Sequence, residues 1–125
     1  MNAIIVADDS KIIQDIIEKA LIDKNFLVLK AHDGSGVIDL LKNYSYDVAG
    51  ILLDLKMPKY DGFTVLEFFK ENDLFKKIPV SIISGDDSKE TIERAFKYDI
   101  TDMLNKPFTK ENIINIVNKM INNKA

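Results

Sequence analysis

The chain has 125 residues, 46% hydrophobic and 30% charged, which suits one globular domain with a core of its own. Its formal net charge of −3 excludes binding to nucleic acid or an anionic membrane by bulk electrostatics. It has no cysteine, hence no disulfide framework or thiolate metal site, and no apolar run near the ~18 residues that span a bilayer.

Ala3-Ile4-Ile5-Val6-Ala7 reads as a buried strand, ended by Asp8-Asp9-Ser10. Asp9 or Ser10 can cap the helix that follows, whose apolar stripe is Ile12, Ile13, Ile16, Ile17, Ala20 and Leu21, with Gln14 among the residues of the outer face. Residues 26–31 form a second strand, and its Lys30 places it near a sheet edge. A short helix carries Val37, Ile38, Leu40 and Leu41. Val48-Ala49-Gly50-Ile51-Leu52-Leu53 is a continuous apolar run, the pattern of a strand buried on both faces, and Asp54 stands at its carboxyl tip. Tyr60-Asp61-Gly62 is a turn before a helix built on Phe63, Val65, Leu66, Phe68 and Phe69. The fourth strand spans residues 78–83 and runs into Ser84. Asp87 with Glu90 resembles a capping box for a thinly apolar helix that turns Ile92, Ala95 and Phe96 inward. Residues 100–104 form a weaker fifth strand, and Thr109 caps the last helix, with Ile113, Ile114, Val117, Met120 and Ile121 on one side.

Strand alternates with helix five times, which predicts an α/β domain over residues 1–125, a parallel sheet with helices on both faces. Parallel strands put all their carboxyl ends on one edge, the edge where open sheets of this kind bind ligands. There the sequence places Asp8 and Asp9, Asp54, Ser84 and Lys106. Three carboxylates against one lysine leave a surplus of negative charge that a divalent cation would cancel. Oxygen ligands of this kind select Mg²⁺, or Mn²⁺ as the alternative. A carboxylate beside such a metal, a lysine and a hydroxyl suits nucleophilic attack on phosphorus. Singly, each residue has a plainer reading, as a helix cap, a turn serine or a solvated lysine. The joint placement at successive strand ends favours the site.

With Val6-Ala7-Asp8-Asp9-Ser10, Leu53-Asp54-Leu55-Lys56-Met57-Pro58, Asp61-Gly62, Ile83-Ser84-Gly85 and Asn105-Lys106-Pro107-Phe108 in place, the whole chain resembles a response regulator receiver domain of the chemotaxis-regulator type. The resemblance implies a flavodoxin-like doubly wound five-stranded sheet of order 2-1-3-4-5, an order for which a chemotaxis regulator is itself a standard example. It implies that Asp54 accepts a phosphoryl group from a phosphohistidine on a sensor histidine kinase or phosphotransfer protein. Asp8, Asp9, Asp54 and the backbone carbonyl of Lys56 would hold Mg²⁺, Ser84 and Lys106 would contact the phosphoryl oxygens, and the Lys106–Pro107 peptide would be cis. The domain would be a phosphoacceptor that catalyses its own phosphorylation and slow dephosphorylation, not an enzyme acting on other molecules. Phosphorylation would switch the surface of helix four, strand five and helix five toward a downstream protein target.

Met103 stands where the family usually has an aromatic switch residue, so a switch there would work by rotamer change of a flexible thioether. Lys56 and Asp86, two residues after the acid and the hydroxyl, are expected to pair across the site and tune the lifetime of the phosphoryl group. A haloacid dehalogenase-type phosphatase would want an acid where Lys56 stands, and Gly34-Ser35-Gly36 falls short of a dinucleotide fingerprint. The serious alternatives are a docking module that works without phosphorylation and a receiver cut from a larger hybrid protein. We expect a cytoplasmic, stand-alone regulator acting by protein contact.

Overall fold

The computed structural model describes residues 2–44 and 47–122. The elements run β1 (Ala3–Ala7), α1 (Lys11–Leu21), a single 3-10 turn (Ile22–Lys24), β2 (Leu27–Ala31), α2 (Gly34–Tyr44), β3 (Val48–Asp54), α3 (Gly62–Glu71), β4 (Val80–Ser84), α4 (Lys89–Ala95), β5 (Asp102–Asn105) and α5 (Lys110–Asn122). The sheet has the order β2-β1-β3-β4-β5, with every neighbouring pair parallel. This is the flavodoxin-like doubly wound fold. β1, β3 and β4 are buried at every position, whereas β2 and β5 lie at the edges and are partly open to solvent.

Side chains alternate across a strand, so each central strand feeds two cores. Ile5, Ile51, Leu53 and Ile82 pack with Val37 and Leu41 of α2, Val65 and Phe69 of α3, and Ala95 of α4. On the opposite face Ile4, Val6, Leu52 and Ile83 pack with Ile17 and Leu21 of α1 and with Ile113, Val117 and Met120 of α5. Full burial of such side chains stabilises by about 1.5–3 kcal/mol each before conformational entropy is set against it.

The structure departs from the sequence reading in the facing of the helices. On α1, Ile12 and Ile16 are 72% and 44% exposed, while Gln14 is 1% exposed. The buried face runs through Ile13, Gln14, Ile17, Ala20 and Leu21, which rotates the stripe away from Ile12 and Ile16. On α4 the cap is Ser88, not Asp87, its hydroxyl accepting from the Thr91 N–H. The helix ends at Ala95, its one fully buried residue, and Phe96, the C-cap beyond it, is 50% exposed. The cap of α5 is as expected: the Asn112 N–H donates to Thr109 Oγ1 at 3.1 Å and the Thr109 N–H to Asn112 Oδ1 at 2.9 Å. β3 includes Asp54 itself, so the carboxylate is borne on the last residue of the strand, rigidly.

Candidate functional site

Three strand ends build the site. Asp8 follows β1, Asp54 ends β3, and Lys106 follows β5. Asp8 is fully buried and Asp54 is 5% exposed, while Asp9 is exposed beside them. One carboxylate oxygen from each of the three lies within 4.8 Å of the others, close enough to share a cation. The donors are all oxygens, which fits a hard divalent ion.

Each buried carboxylate is held from two sides. Asp8 Oδ1 accepts from the Ser10 N–H at 2.8 Å, and its Oδ2 accepts from Lys106 Nζ at 2.7 Å. Asp54 Oδ1 accepts from the Lys56 N–H at 3.3 Å, and its Oδ2 accepts from the same Lys106 Nζ at 3.1 Å. Burial and the neighbouring Asp8 charge push the Asp54 carboxyl above its ordinary value, against the opposing pull of Lys106 and the Lys56 N–H. Burial would lower the Lys106 ammonium, but the two carboxylates outweigh it and leave the lysine raised and charged. The Lys106–Pro107 peptide is cis.

The β3–α3 loop folds back over the acid. The Gly62 N–H donates to Leu55 O at 3.0 Å, and a Cβ at Gly62 would stand 2.5 Å from Asp54 O. Only glycine allows that approach. Asp61 then caps α3, accepting from the Thr64 N–H at 2.9 Å. Further back the Gly34 N–H, at the start of α2, donates to Tyr60 O at 2.7 Å. An open groove of about 480 Å³ runs beside the acids, lined by Asp9, Leu55, Lys56, Met57, Pro58 and Asp61.

Ser84, buried at the tip of β4, keeps its hydroxyl in its own loop, accepting from the Asp86 N–H at 3.0 Å. Lys56 and Asp86 do not form the expected ion pair. The Asp86 carboxylate accepts instead from the Ser88 N–H at 2.9 Å and the Thr91 hydroxyl at 2.8 Å, and these bonds, the Ser88 N–H first, lower its pKa to about 2. A carboxylate so placed anchors the start of α4, and Lys56 acts on it only through its charge. Met103 is partly buried and packs against the α2–α3–α4 core. α4 and the segment after it have two further ties to α3: the Arg94 guanidinium lies 3.7 Å from the centre of the Phe63 ring, and the Tyr98 hydroxyl, just beyond α4, donates to Glu67 at 2.7 Å.

Sequence reasoning missed Gln14. Its Nε2 donates to Asp8 O at 2.8 Å and to Ala31 O at 3.0 Å. Among the described residues no helix is long and apolar enough to cross a membrane.

A parallel sheet of this order, with acids and a lysine gathered at its carboxyl edge, defines a signalling domain of the two-component type. The response regulator receiver domain family matches residues 4–118, and the chain belongs to that family. The chain is 36% identical over 114 residues to the cell cycle response regulator CtrA of Brucella ovis, covering 91% of this chain and 47% of that protein. It is 28% identical over 118 residues to the sensor histidine kinase CheAY of Helicobacter pylori, covering 94% of this chain and 15% of that one. The chain thus spans about half the length, or less, of these relatives. Among solved structures, the receiver domain of the Francisella response regulator 1452 superposes with a TM-score of 0.87 at 27% identity, with 100% of both chains covered. The signal receiver domain of a putative Luxo repressor protein from Vibrio parahaemolyticus gives 0.89 at 20% identity, over 98% of this chain and 92% of that one.

Proposed function

We propose that the domain accepts a phosphoryl group on Asp54 from a phosphohistidine of a sensor kinase or phosphotransfer protein, and passes the signal to a downstream protein. The observation that carries this reading is the gathering of Asp8, Asp9 and Asp54 within 4.8 Å, with Lys106 shared between the two buried acids. Asp8, Asp9, Asp54 and the Lys56 carbonyl would hold Mg²⁺, which when bound supplies charge neutralisation for the incoming phosphoryl oxygens. Asp54, on the last residue of a buried strand, is held for in-line attack. Its oxygen forms the bond to phosphorus, and the phosphorus–nitrogen bond to the donor imidazole breaks. Lys106 exchanges its contact with Asp54 for one with a phosphoryl oxygen and keeps Asp8. Ser84 leaves its bond with Asp86 to donate to another phosphoryl oxygen. These two movements pull on the loop to α4 and on β5, where α4 is anchored by little core and Met103 can repack. The domain thus catalyses its own phosphorylation and slow hydrolysis. A cytoplasmic location goes with this reading, since the phosphohistidine of the proposed donor kinase is presented on the cytoplasmic side.

Incubation with Mg²⁺ and acetyl phosphate, followed by intact mass, tests the reading. One phosphoryl adduct is expected on the wild type and none on Asp54→Ala. An unmodified wild type under these conditions would overturn it in favour of a docking module that works without phosphorylation.

A further inference from the structure

We propose that Gln14 is a positioning residue for the acid pair, acting on both carboxylates through the peptide that joins them; the inference rests on the metal-holding role of Asp8 and Asp9 given above. Gln14 sits on the first full turn of α1 and is buried on the side that faces the sheet. Around it that face is apolar, built on Ile13, Ile17 and Leu21. A buried amide there has no packing advantage over leucine or methionine, so its polar atoms need another account.

That account lies at the end of the β1–β2 ladder. The paired register stops at Ala7 and Ala31. One residue on, the Asp8 N–H still donates to Ala31 O at 3.1 Å. Beyond this β2 turns away, since Asp33 accepts from the Gly36 N–H at 2.8 Å and opens α2. Among the described residues no backbone N–H reaches the Asp8 carbonyl, and the Gln14 amide takes it instead. The second N–H of the same amide takes Ala31 O. Both acceptors are carbonyls, so the amide nitrogen must face inward, which fixes its orientation. His32 Nδ1, at 3.4 Å from that nitrogen, is its more distant neighbour.

The Asp8 carbonyl belongs to the peptide plane between Asp8 and Asp9. Rotation of that plane would swing the Cα–Cβ bonds of both acids. Ser10 and Lys106 hold the Asp8 carboxylate at its tips, but among the described contacts Gln14 alone holds this carbonyl. Gln14 touches no carboxylate and is remote from the reacting atoms, so its effect is on the angle between two ligands. Groups that orient metal ligands in this way typically change metal affinity by 10–100-fold when removed.

The test compares wild type, Gln14→Met and Ile17→Val. Methionine keeps the volume and removes both donors, while Ile17→Val loosens the same helix without touching Asp8. Calorimetric titration with Mg²⁺ should show affinity about 10-fold weaker for Gln14→Met and unchanged for Ile17→Val. Reaction with acetyl phosphate should be slow for Gln14→Met at low Mg²⁺ and recover most of its rate at saturating Mg²⁺. Equal Mg²⁺ affinity in wild type and Gln14→Met, or the same loss in Ile17→Val, would overturn the proposal. If Gln14→Met does not fold, the side-chain NH₂ signals of Gln14 in the wild type decide. They should exchange slowly with solvent and shift when Mg²⁺ is added, and signals that stay in place would overturn it. A wild type that binds no Mg²⁺ and takes no phosphoryl group overturns the functional reading, and the role of Gln14 with it. A wild type that does both while Gln14→Met matches it overturns the role of Gln14 alone.

Discussion

The Lys106 ammonium is closer to Asp8, at 2.7 Å, than to Asp54, at 3.1 Å. The lysine is therefore anchored by the acid that does not react and remains free to follow changes at the one that does. It is also the sole cation in direct contact with two buried carboxylates among the described residues. Lys106→Met should lower stability in EDTA by about 3 kcal/mol, because both acids lose their partner. The same change should tighten Mg²⁺ binding several-fold, since the metal no longer competes with an ammonium. Urea denaturation and calorimetric titration measure the two effects. Unchanged Mg²⁺ affinity would show that Lys106 and the metal do not share the acids.

Asp54 contributes the opposite sign. Its carboxyl is raised by burial and by Asp8, so the folded protein holds this proton more tightly than the unfolded chain does. Stability then falls as pH rises from the ordinary carboxylate value through the raised one, and stays lower above it. Asp54→Asn removes that cost. Without metal the variant should be more stable than wild type at pH 7, with the advantage shrinking as pH falls and gone below about pH 4. Denaturation curves in EDTA across that range measure it. A variant less stable than wild type at pH 7 would mean that the bonds from Lys106 and Lys56 outweigh burial.

The fold was legible because the strands are strongly patterned. Continuous apolar runs such as residues 48–53 can only be buried, and the acids that end them mark the carboxyl edge. The site followed from parallel strands alone. The facing of α1 was harder. Counting every isoleucine as inward gave a double-width stripe, but a helix on a flat sheet buries a narrower one. Positions 13, 14, 17, 20 and 21 follow the three–four spacing, and that spacing already included Gln14. Polarity argued it outward; the Asp8 and Ala31 carbonyls at a strand end, a juxtaposition invisible in sequence, drew it in. Asp86 was misread for a related reason. Charge suggested Lys56 as its partner, but the nearer Ser88 N–H and Thr91 hydroxyl satisfied it first.

Gly34 ties α2 to the loop that carries Lys56. A Cβ there would lie 2.4 Å from Tyr60 O and 2.6 Å from Tyr60 Cβ, so the loop must move. Gly34→Ala should destabilise by about 1–3 kcal/mol. It should also slow phosphorylation by acetyl phosphate, because the Leu55–Asp61 turn is displaced with Tyr60. Wild-type stability in the variant would show that Tyr60 yields without cost.

Ser81, the second residue of β4, is fully buried, and among the described residues its hydroxyl has no hydrogen-bond partner. A buried donor left unpaired costs free energy that a methyl group does not. Ser81→Ala should raise stability by about 1 kcal/mol, with the urea midpoint increased and the slope unchanged. A loss of stability would reveal that the hydroxyl fills space that alanine leaves empty.

The outward turn of Ile12 and Ile16 has a consequence for phosphotransfer. α1 begins directly after Asp8, Asp9 and Ser10, so a donor protein that presents its phosphohistidine to Asp54 must pass close to this helix. Ile16 lines a shallow hollow with Lys19, Ala20 and Lys110, and Ile12 stands nearer the acids on the same side. Exposed apolar residues grouped beside a reactive site are suited to a partner's apolar face. Ile16→Asp should leave the fold and the acetyl phosphate reaction unchanged, since the small donor needs no docking face. Transfer from a phosphorylated histidine protein that serves the wild type should fall about tenfold, the size of one buried anchor residue. Equal losses with both donors would mean that the substitution disturbs the acids themselves, and equal rates would place the docking face elsewhere.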